Sequence, residues 1–447
     1  MKCSVMWCRK QKQNIIYKIL KFIMCYFLKT SVKLLRRILR LTFCEVICIG
    51  IVFLTIFFIQ IWIKGENQII RNVGNPAIMW WTSGFPGTSD TISCANNMKC
   101  DFVKNTASEI YNVKAYLFYA SNIKFDNLPL PRRPNEVIWG LYHEESPRNV
   151  EELMHTKTLS LFNYSTTFSR YSDIPFPLQY LDSLEDITST KYFKPTSVKT
   201  NLLKEISPVL YLQSDCETST ERDAYVKELM KFIEIDSYGA CLNNKEMPKK
   251  FREDYLNNLN EEEFLHYISR YMFVVAIENG VCDDYITEKF WRAIKIGTVP
   301  IYFGSPTIKD WLPNNKSAIL VEDYPTPIKM SDYLKTLLNN DNLYEDYITH
   351  KTKEEITNKR LIDELKIRQY QINALDVASK FECFICEKLH ENKVTKVRHV
   401  VDKKHYNCPK PVSALTLQVN PSNDWVYSWE VAKEKAEDIY DKVINFK

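Results

Sequence analysis

Apolar and polar positions change rhythm several times along this chain. Val46 to Ile63 reads VICIGIVFLTIFFIQIWI, eighteen residues with no charge and with Gln60 as the one strongly polar side chain. The run is apolar on every face and lacks a 3.6-residue period, which argues against an amphipathic core helix. Its length approaches the ~20 residues that cross a bilayer as helix. A cleaved signal peptide has a shorter apolar region followed by small residues; here Lys64-Gly65-Glu66 follows. The pattern predicts a retained transmembrane anchor over 46–63. Ile15 to Leu28 is a second apolar stretch, but lysines interrupt it, which makes it interfacial at most.

Beyond a short stem at 64–76, apolar runs at Ile78–Trp81, Val113–Ala120 and Glu136–Tyr142 predict strands of a first α/β region. Asp182–Glu205, rich in Ser, Thr and Lys, reads as a polar linker. A second α/β region follows. Val209–Gln213 is a strand, and Thr218-Ser-Thr-Glu221 is a capping-box pattern opening a helix to about Ile233, with Ala224, Met230 and Ile233 inward. Met272–Ile277 is a strand leading to a helix from Tyr285 to Ile296. Thr298–Phe303 and Ser317–Val321 are further strands around a short helix at Thr307–Trp311. Strands alternating with helices imply a covered parallel sheet. Helices from Ser331 to about Lys380 pack over this region, and the last stretch reads as irregular and cysteine-bearing.

Charge changes the picture at one end only. Residues 1–40 hold eleven Lys and Arg and no acid, whereas the whole chain carries +4, so the remainder is at −7. A nucleic-acid binder carries its basic charge on the folded domain, so that class is set aside. By the positive-inside rule the N-terminus is cytoplasmic and the body luminal, a single-pass type II arrangement in the Golgi or endoplasmic reticulum membrane. Eight cysteines fall in the body: Cys94, Cys100, Cys216, Cys241, Cys282, Cys383, Cys386 and Cys408. An even number fits disulfides in an oxidising compartment. Cys94 with Cys100, and Cys216 with Cys241, read as local pairs. Cys383-x-x-Cys386 also fits a redox motif, or half a zinc site near His390, His399, His405 and Cys408. Asn163-Tyr-Ser and Asn315-Lys-Ser are glycosylation sequons.

Glycine is scarce, ten in 447, and neither G-x-G-x-x-G nor a P-loop occurs. A bound nucleotide would have to be held by charged side chains and a helix N-terminus. No G-x-S-x-G elbow and no H-E-x-x-H motif is present.

The informative stretch is YMFVVAIENGVCDDYITEKFWRAIKIGTVPIYFGSPTIKDWLP, from Tyr271 to Pro313. A buried strand ends in Glu278-Asn279, and a helix begins near Asp284. Open α/β sheets bind ligands at the carboxyl ends of strands. Tyr285, Glu288 and Lys289 fall in the helix's first turn or so, while Ile286, Phe290 and Ile294 share the core-facing stripe. An aromatic, an acid for sugar hydroxyls and a cation for phosphate therefore gather at one mouth. Alone, the same residues also fit an ordinary helix with a capping acid and a solvated ion pair.

Asn279, Tyr285, Thr-Glu-Lys at 287–289, Val299-Pro300 and Gly304-Ser305-Pro306 together resemble the signature of the α1,3-fucosyltransferase family. The similarity runs from about residue 76 to 400. His143-Glu-Glu-Ser-Pro147, Leu161–Arg170, Asp236-Ser-Tyr-Gly239 and Cys282–Lys289 look closest to its animal branch numbered ten and eleven. The resemblance implies the GT-B fold class, two Rossmann-like domains facing across a cleft, here preceded by the single N-terminal transmembrane helix. It implies GDP-β-L-fucose as donor and an inverting transfer with no cofactor and no essential metal. The family's donor-binding residues fall on Arg222, Asn279, Tyr285, Glu288 and Lys289. Its general base lies just before Ser-Pro and matches Glu145, with Glu144 beside it as the alternative. Where the family has Ser-Asn-Trp or similar, this chain has Ser214-Asp215-Cys216-Glu217, which puts its guanine contacts in doubt. Asp-x-Glu there also resembles a metal-binding D-x-D.

The expected organisation is a cytoplasmic tail at 1–45, the anchor at 46–63, a stem at 64–76, an acceptor-side domain with linker at 77–205, a donor-binding domain at 206–380 and a tail at 381–447. The acceptor reading placed first is N-acetylglucosamine of a glycoprotein glycan. The alternative is Ser or Thr of a folded luminal protein domain. A non-catalytic lectin-like scaffold is the third reading, and a metal-dependent nucleotide-sugar transferase of the other fold the fourth.

Overall fold

In the computed structural model the described residues are 51–52, 54–57, 74–84, 91–103, 113–252, 259–392 and 399–446. The chain separates into two compact units, Met1–Val73 and Gly74–Lys447. Residues 1–45, the stem to 73 and most of the anchor at 46–63 lie outside the described residues; 51–52 and 54–57 are helical and exposed. Among the described residues no helix is long and apolar enough to cross a membrane.

The second unit holds two parallel sheets. The first contains β1 (Ala77–Trp80), β2 (Thr91–Ser93), β3 (Lys99–Phe102), β4 (Val113–Tyr119), β5 (Ile138–His143) and β6 (Tyr164–Thr167), in the order β2-β3-β1-β4-β5-β6. Only β2 runs antiparallel to its neighbour. β1, β5 and β6 are buried along their whole length. Strands covered on both faces read as continuous apolar runs rather than alternations, which is why the sequence pattern finds β1, β4 and β5 within two residues at each end.

The second sheet contains β7 (Val209–Gln213), β8 (Ile235–Gly239), β9 (Phe273–Ile277), β10 (Val299–Phe303) and β11 (Ile319–Leu320), in the order β11-β10-β9-β7-β8. Its chain order reverses between β7 and β9, the kind of position at which open α/β sheets form a ligand crevice. Helices α1 (Arg222–Leu229), α2 (Glu262–Ile268), α3 (Glu288–Ile296) and α4 (Pro327–Leu338) cover it. Helix α1 buries Tyr225, Val226 and Leu229, whereas Ala224 is exposed. The expected capping box does not form, because Glu221 adopts a left-handed conformation (φ 51°) and its carboxylate bonds Asn420.

The polar stretch 182–205 joins the two sheets and carries regular structure of its own. It forms short helices at Leu184–Thr188 and Thr196–Leu202, and buried Lys199 donates to the carbonyl of Gly297, just past α3, at 2.6 Å. A donor there satisfies an orphan carbonyl at the C-terminal end of the helix, while full burial disfavours the amine's charge. The expectation that residues after 380 are irregular is corrected. Helix α5 (Ala374–Glu391) inserts Phe381, Ile385 and Leu389 into the first sheet's core. Helix α6 (Asp424–Ile444) returns to the same lobe, where the Trp429 carbonyl accepts from His155 Nε2 (3.0 Å) and Val443 joins the core.

The disulfides explain how α5 reaches the far lobe. Cys94 pairs with Cys383 and Cys100 with Cys386, so the expected Cys94–Cys100 pair is wrong. The x-x spacing places both cysteines on one helix face, which is sutured to the β2–β3 hairpin. Cys216 pairs with Cys241, as the spacing predicts, and Cys282 pairs with Cys408. Among the described residues two groups have metal-ligand proximity, Cys100/Cys386/His390 and Cys216/Asp223/Cys241, and both spend their sulfurs in these bonds.

Candidate active site

A cleft of about 390 Å³ opens over the carboxyl ends of β7 and β8 and the loop after β9. Arg222, the first residue of α1, is 1% exposed and spans the reversal point. Its Nη1 donates to Ile277 at the end of β9 (3.3 Å), and its Nη2 donates to the carbonyl of Asp215 after β7. The backbone thus fixes a guanidinium at the mouth of the sheet.

The helix expected near Asp284 starts at Glu288 instead. Asp284 takes a left-handed backbone (φ 63°), so 284–287 run as a loop and Thr287 becomes the N-cap. Buried Glu278 anchors that cap, accepting from Thr287 N at 2.8 Å and Thr287 Oγ1 at 2.7 Å. Burial pushes the Glu278 carboxyl up to about 7, against the pull of Lys289. Gly304 is required beside it, since a Cβ there would sit 2.5 Å from Glu278 Cγ. Lys289 Nζ lies 3.1 Å from Glu288 and 3.7 Å from Glu278. Burial opposes its charge, and the two acids outweigh that and raise it. For Glu288 burial works upward, but Lys289 and Arg292 bring it down to about 2, so it is ionised at any physiological pH.

The facing wall comes from the loop after β5. Glu145 Oε1 accepts from its neighbour's amide, Ser146 N, at 2.9 Å and from the Tyr285 hydroxyl of the opposite lobe. Tyr285 is buried against Phe168; burial and the nearby Glu145 charge hold its hydroxyl protonated. Glu144 points elsewhere. Its Oε1 accepts from Tyr119 at 2.5 Å, and burial raises its carboxyl. Adjacent residues leaving a strand face opposite ways, and only Glu145 lines the cleft.

The lobes are held together beside this point. Arg170 of the first lobe grips the Asp284 carboxylate with Nε (2.9 and 3.0 Å) and Nη2 (2.5 Å), and Asp310 with Nη1 (2.7 Å). Burial disfavours the Asp284 charge, but Arg170 and Thr307 more than compensate and lower its pKa. The Cys282–Cys408 bond ties the same loop to the 399–410 segment, which hydrogen-bonds along β6 through Thr167, Ser165 and Ser169. Gly280 permits a close approach of the two lobes: a Cβ there would lie 2.7 Å from Ser146 Oγ.

Glu145, Arg222, Asn279, Glu288 and Lys289 therefore line one cleft, with Tyr285 behind it touching Glu145. Arg148, Asp215 and Arg292 line it too; the sequence pattern marks Asp215 only as part of a D-x-D-like element and misses the two arginines. Arg292 lies one helical turn after Glu288, a spacing that could have found it; Arg148 had no periodic signal. The Nε atoms of Arg148, Arg222 and Arg292 and the Oδ1 of Asn279 are buried with no partner among the described residues. Buried polar groups are normally satisfied, so the three orphaned Nε donors gathered at one cleft mark a place for an anionic ligand, while Asn279 Oδ1 offers an acceptor beside them. Of the sequons, Asn315 is exposed. Asn163 is buried, its Oδ1 accepting from Arg132 (2.6 Å) and Trp139 N (2.9 Å) and its Nδ2 donating to the His399 carbonyl (3.1 Å).

Two family models match. The fucosyltransferase N-terminal model covers residues 74–179. The glycosyltransferase family 10 (fucosyltransferase) C-terminal model covers residues 203–404. The chain is 40% identical over 378 residues to the human GDP-fucose protein O-fucosyltransferase 3, covering 81% of this chain and 78% of that protein. It is 42% identical over 372 residues to the Drosophila melanogaster alpha-(1,3)-fucosyltransferase B, covering 80% and 82%. A crystal structure of an alpha1,3-fucosyltransferase aligns over 68% of this chain and 92% of its own, with TM-score 0.40 and 15% identity. This chain belongs to glycosyltransferase family 10, the GDP-fucose-dependent fucosyltransferases.

Proposed function

We propose that this enzyme works as an inverting GT-B transferase that moves L-fucose from GDP-β-L-fucose to a Ser or Thr hydroxyl of a folded luminal protein domain. The observation that carries the reading is the pairing of the cleft-facing carboxylate of Glu145, supplied by the first lobe, with buried arginine Nε atoms on the same cleft that have no partner among the described residues. Inverting transfer needs a base on one side of the sugar and charge stabilisation for the leaving nucleotide on the other. Glu145 takes the proton of the acceptor hydroxyl as its oxygen attacks the anomeric carbon. The bond from that carbon to the GDP oxygen breaks, and GDP departs with the electron pair. Arg222, Lys289 and the amides at the start of α3 receive the diphosphate charge. Asn279 and Glu288 are assigned to donor hydroxyls, and Tyr285 holds Glu145 in place.

The protein acceptor is favoured by the vertebrate relatives, human among them, which are named GDP-fucose protein O-fucosyltransferase 3. It is the alternative of the sequence reading rather than its first choice. Transfer to N-acetylglucosamine of a glycan remains the second reading, because the Drosophila relative at 42% identity is named for α1,3 transfer. The same proposal includes the anchor at 46–63, the type II orientation and residence in the Golgi or endoplasmic reticulum membrane, supported by the uncharged run and the basic tail before it. The test is transfer by the detergent-solubilised full chain with GDP-fucose and EDTA, offered glycopeptides and folded cysteine-rich domains in parallel. Label on glycans alone overturns the protein acceptor, and activity lost to EDTA overturns the metal-free mechanism.

A further inference from the structure

Among the described residues Arg148 is the one cleft cation that comes from the first lobe. It sits three residues after Glu145, in the short helical segment Pro147–Met154, whose N-cap Ser146 accepts from the Arg148 amide through Oγ at 3.3 Å. Its side chain is 10% exposed and its Nε has no partner among the described residues. Two groups hold it. Nη2 donates to Asp215 Oδ2 at 2.7 Å, and the guanidinium lies 4.7 Å from the centre of the Trp425 ring. Asp215 also faces Arg222, with Oδ2 3.7 Å from Nη2. One half-exposed carboxylate therefore stands between two cleft guanidinium groups, one from each lobe. This is where the chain departs from the family pattern, with Ser214-Asp215 after β7.

Resting on the fucosyltransferase reading, we propose that Arg148 is a donor-diphosphate ligand supplied across the cleft, and that Asp215 is the internal anion that occupies it until the donor displaces it. Arginine suits this role because its planar fork takes two phosphate oxygens at once. Trp425 stacks on the guanidinium face and leaves its edge for that exchange. The segment 145–148 then carries both the base and a leaving-group clamp, so donor binding and base placement are set by one backbone turn.

Titration calorimetry of the full-length enzyme with GDP and with guanosine tests this. Arg148→Ala weakens GDP by about ten- to a hundredfold, the worth of a charge-assisted hydrogen bond, and leaves guanosine within about twofold; Arg148→Lys recovers part of the loss. Asp215→Asn keeps the carbonyl that Arg222 uses and tightens GDP by a few-fold. Unchanged GDP affinity in Arg148→Ala, or equal losses for GDP and guanosine, overturns the proposal and makes Arg148 a strut between lobes. Weaker GDP binding by Asp215→Asn overturns the displacement. If wild-type enzyme binds neither GDP nor guanosine, the donor reading itself fails.

Discussion

The Tyr285 hydroxyl of the second lobe donates to the Glu145 carboxylate of the first. Both this bond and the one from Ser146 fall on Oε1, so in the proposed mechanism the second oxygen, without a hydrogen bond among the described residues, takes the acceptor's proton. Tyr285→Phe keeps the packing on Phe168 and removes the bond. The expected result is a kcat lower by about tenfold or more, with GDP affinity unchanged. An unaltered kcat would show that the base needs no such support.

The two adjacent acids separate cleanly. Glu145→Gln is expected to keep GDP binding and lose transfer by roughly 10²–10⁴-fold, the range for a positioned base. Glu144→Gln keeps its Tyr119 contact and retains activity within a few-fold. Steady-state rates for the pair decide it, and the reverse ranking moves the base to Glu144.

Donor affinity should depend on pH near neutrality. With its carboxyl raised to about 7 by burial, Glu278 is neutral below that pH and ionised above it. Ionised Glu278 offsets the Lys289 charge, so GDP binding weakens by a few-fold as pH rises through about 7. For stability, a raised acid favours the fold below its ordinary pKa, and that contribution is lost as pH rises through about 7. Glu278→Gln should flatten the GDP profile; a step that persists in this variant belongs to another group.

Glycosylation should use one sequon in the folded protein. Asn315→Gln is expected to remove a glycan from protein made in a secretory host, because Asn315 is exposed. Asn163→Gln should change no glycan mass and should destabilise the fold, since its amide links Arg132, Trp139 and His399. Intact-mass analysis reads both, and a glycan on Asn163 contradicts this packing.

Much of the donor lobe was readable because β7, β9 and β10 are short buried runs whose ends the apolar pattern marks. The helix start was read three to four residues early. Asp284 breaks the helical path through bonds to Arg170 and Trp311, partners distant in sequence that no local pattern contains. The choice between Glu144 and Glu145 stayed open for a similar reason. Alternation says that neighbours diverge, but not which side faces the other lobe. Cys216–Cys241 was found because the pair is local, whereas Cys94 and Cys100 join a helix almost 290 residues away, and spacing does not encode that connectivity. Arg148 was missed because its meaning depends on Asp215 and Trp425 meeting it in space.

The central claim is that Glu145 drives fucose transfer from GDP-fucose to a protein hydroxyl. The most direct measurement is peptide mass spectrometry of folded cysteine-rich domains incubated with GDP-fucose and either wild-type enzyme or Glu145→Gln. The account predicts one deoxyhexose on Ser or Thr with wild type and none with the variant, which still binds GDP. Fucose on glycans alone, or undiminished protein fucosylation by Glu145→Gln, would contradict it.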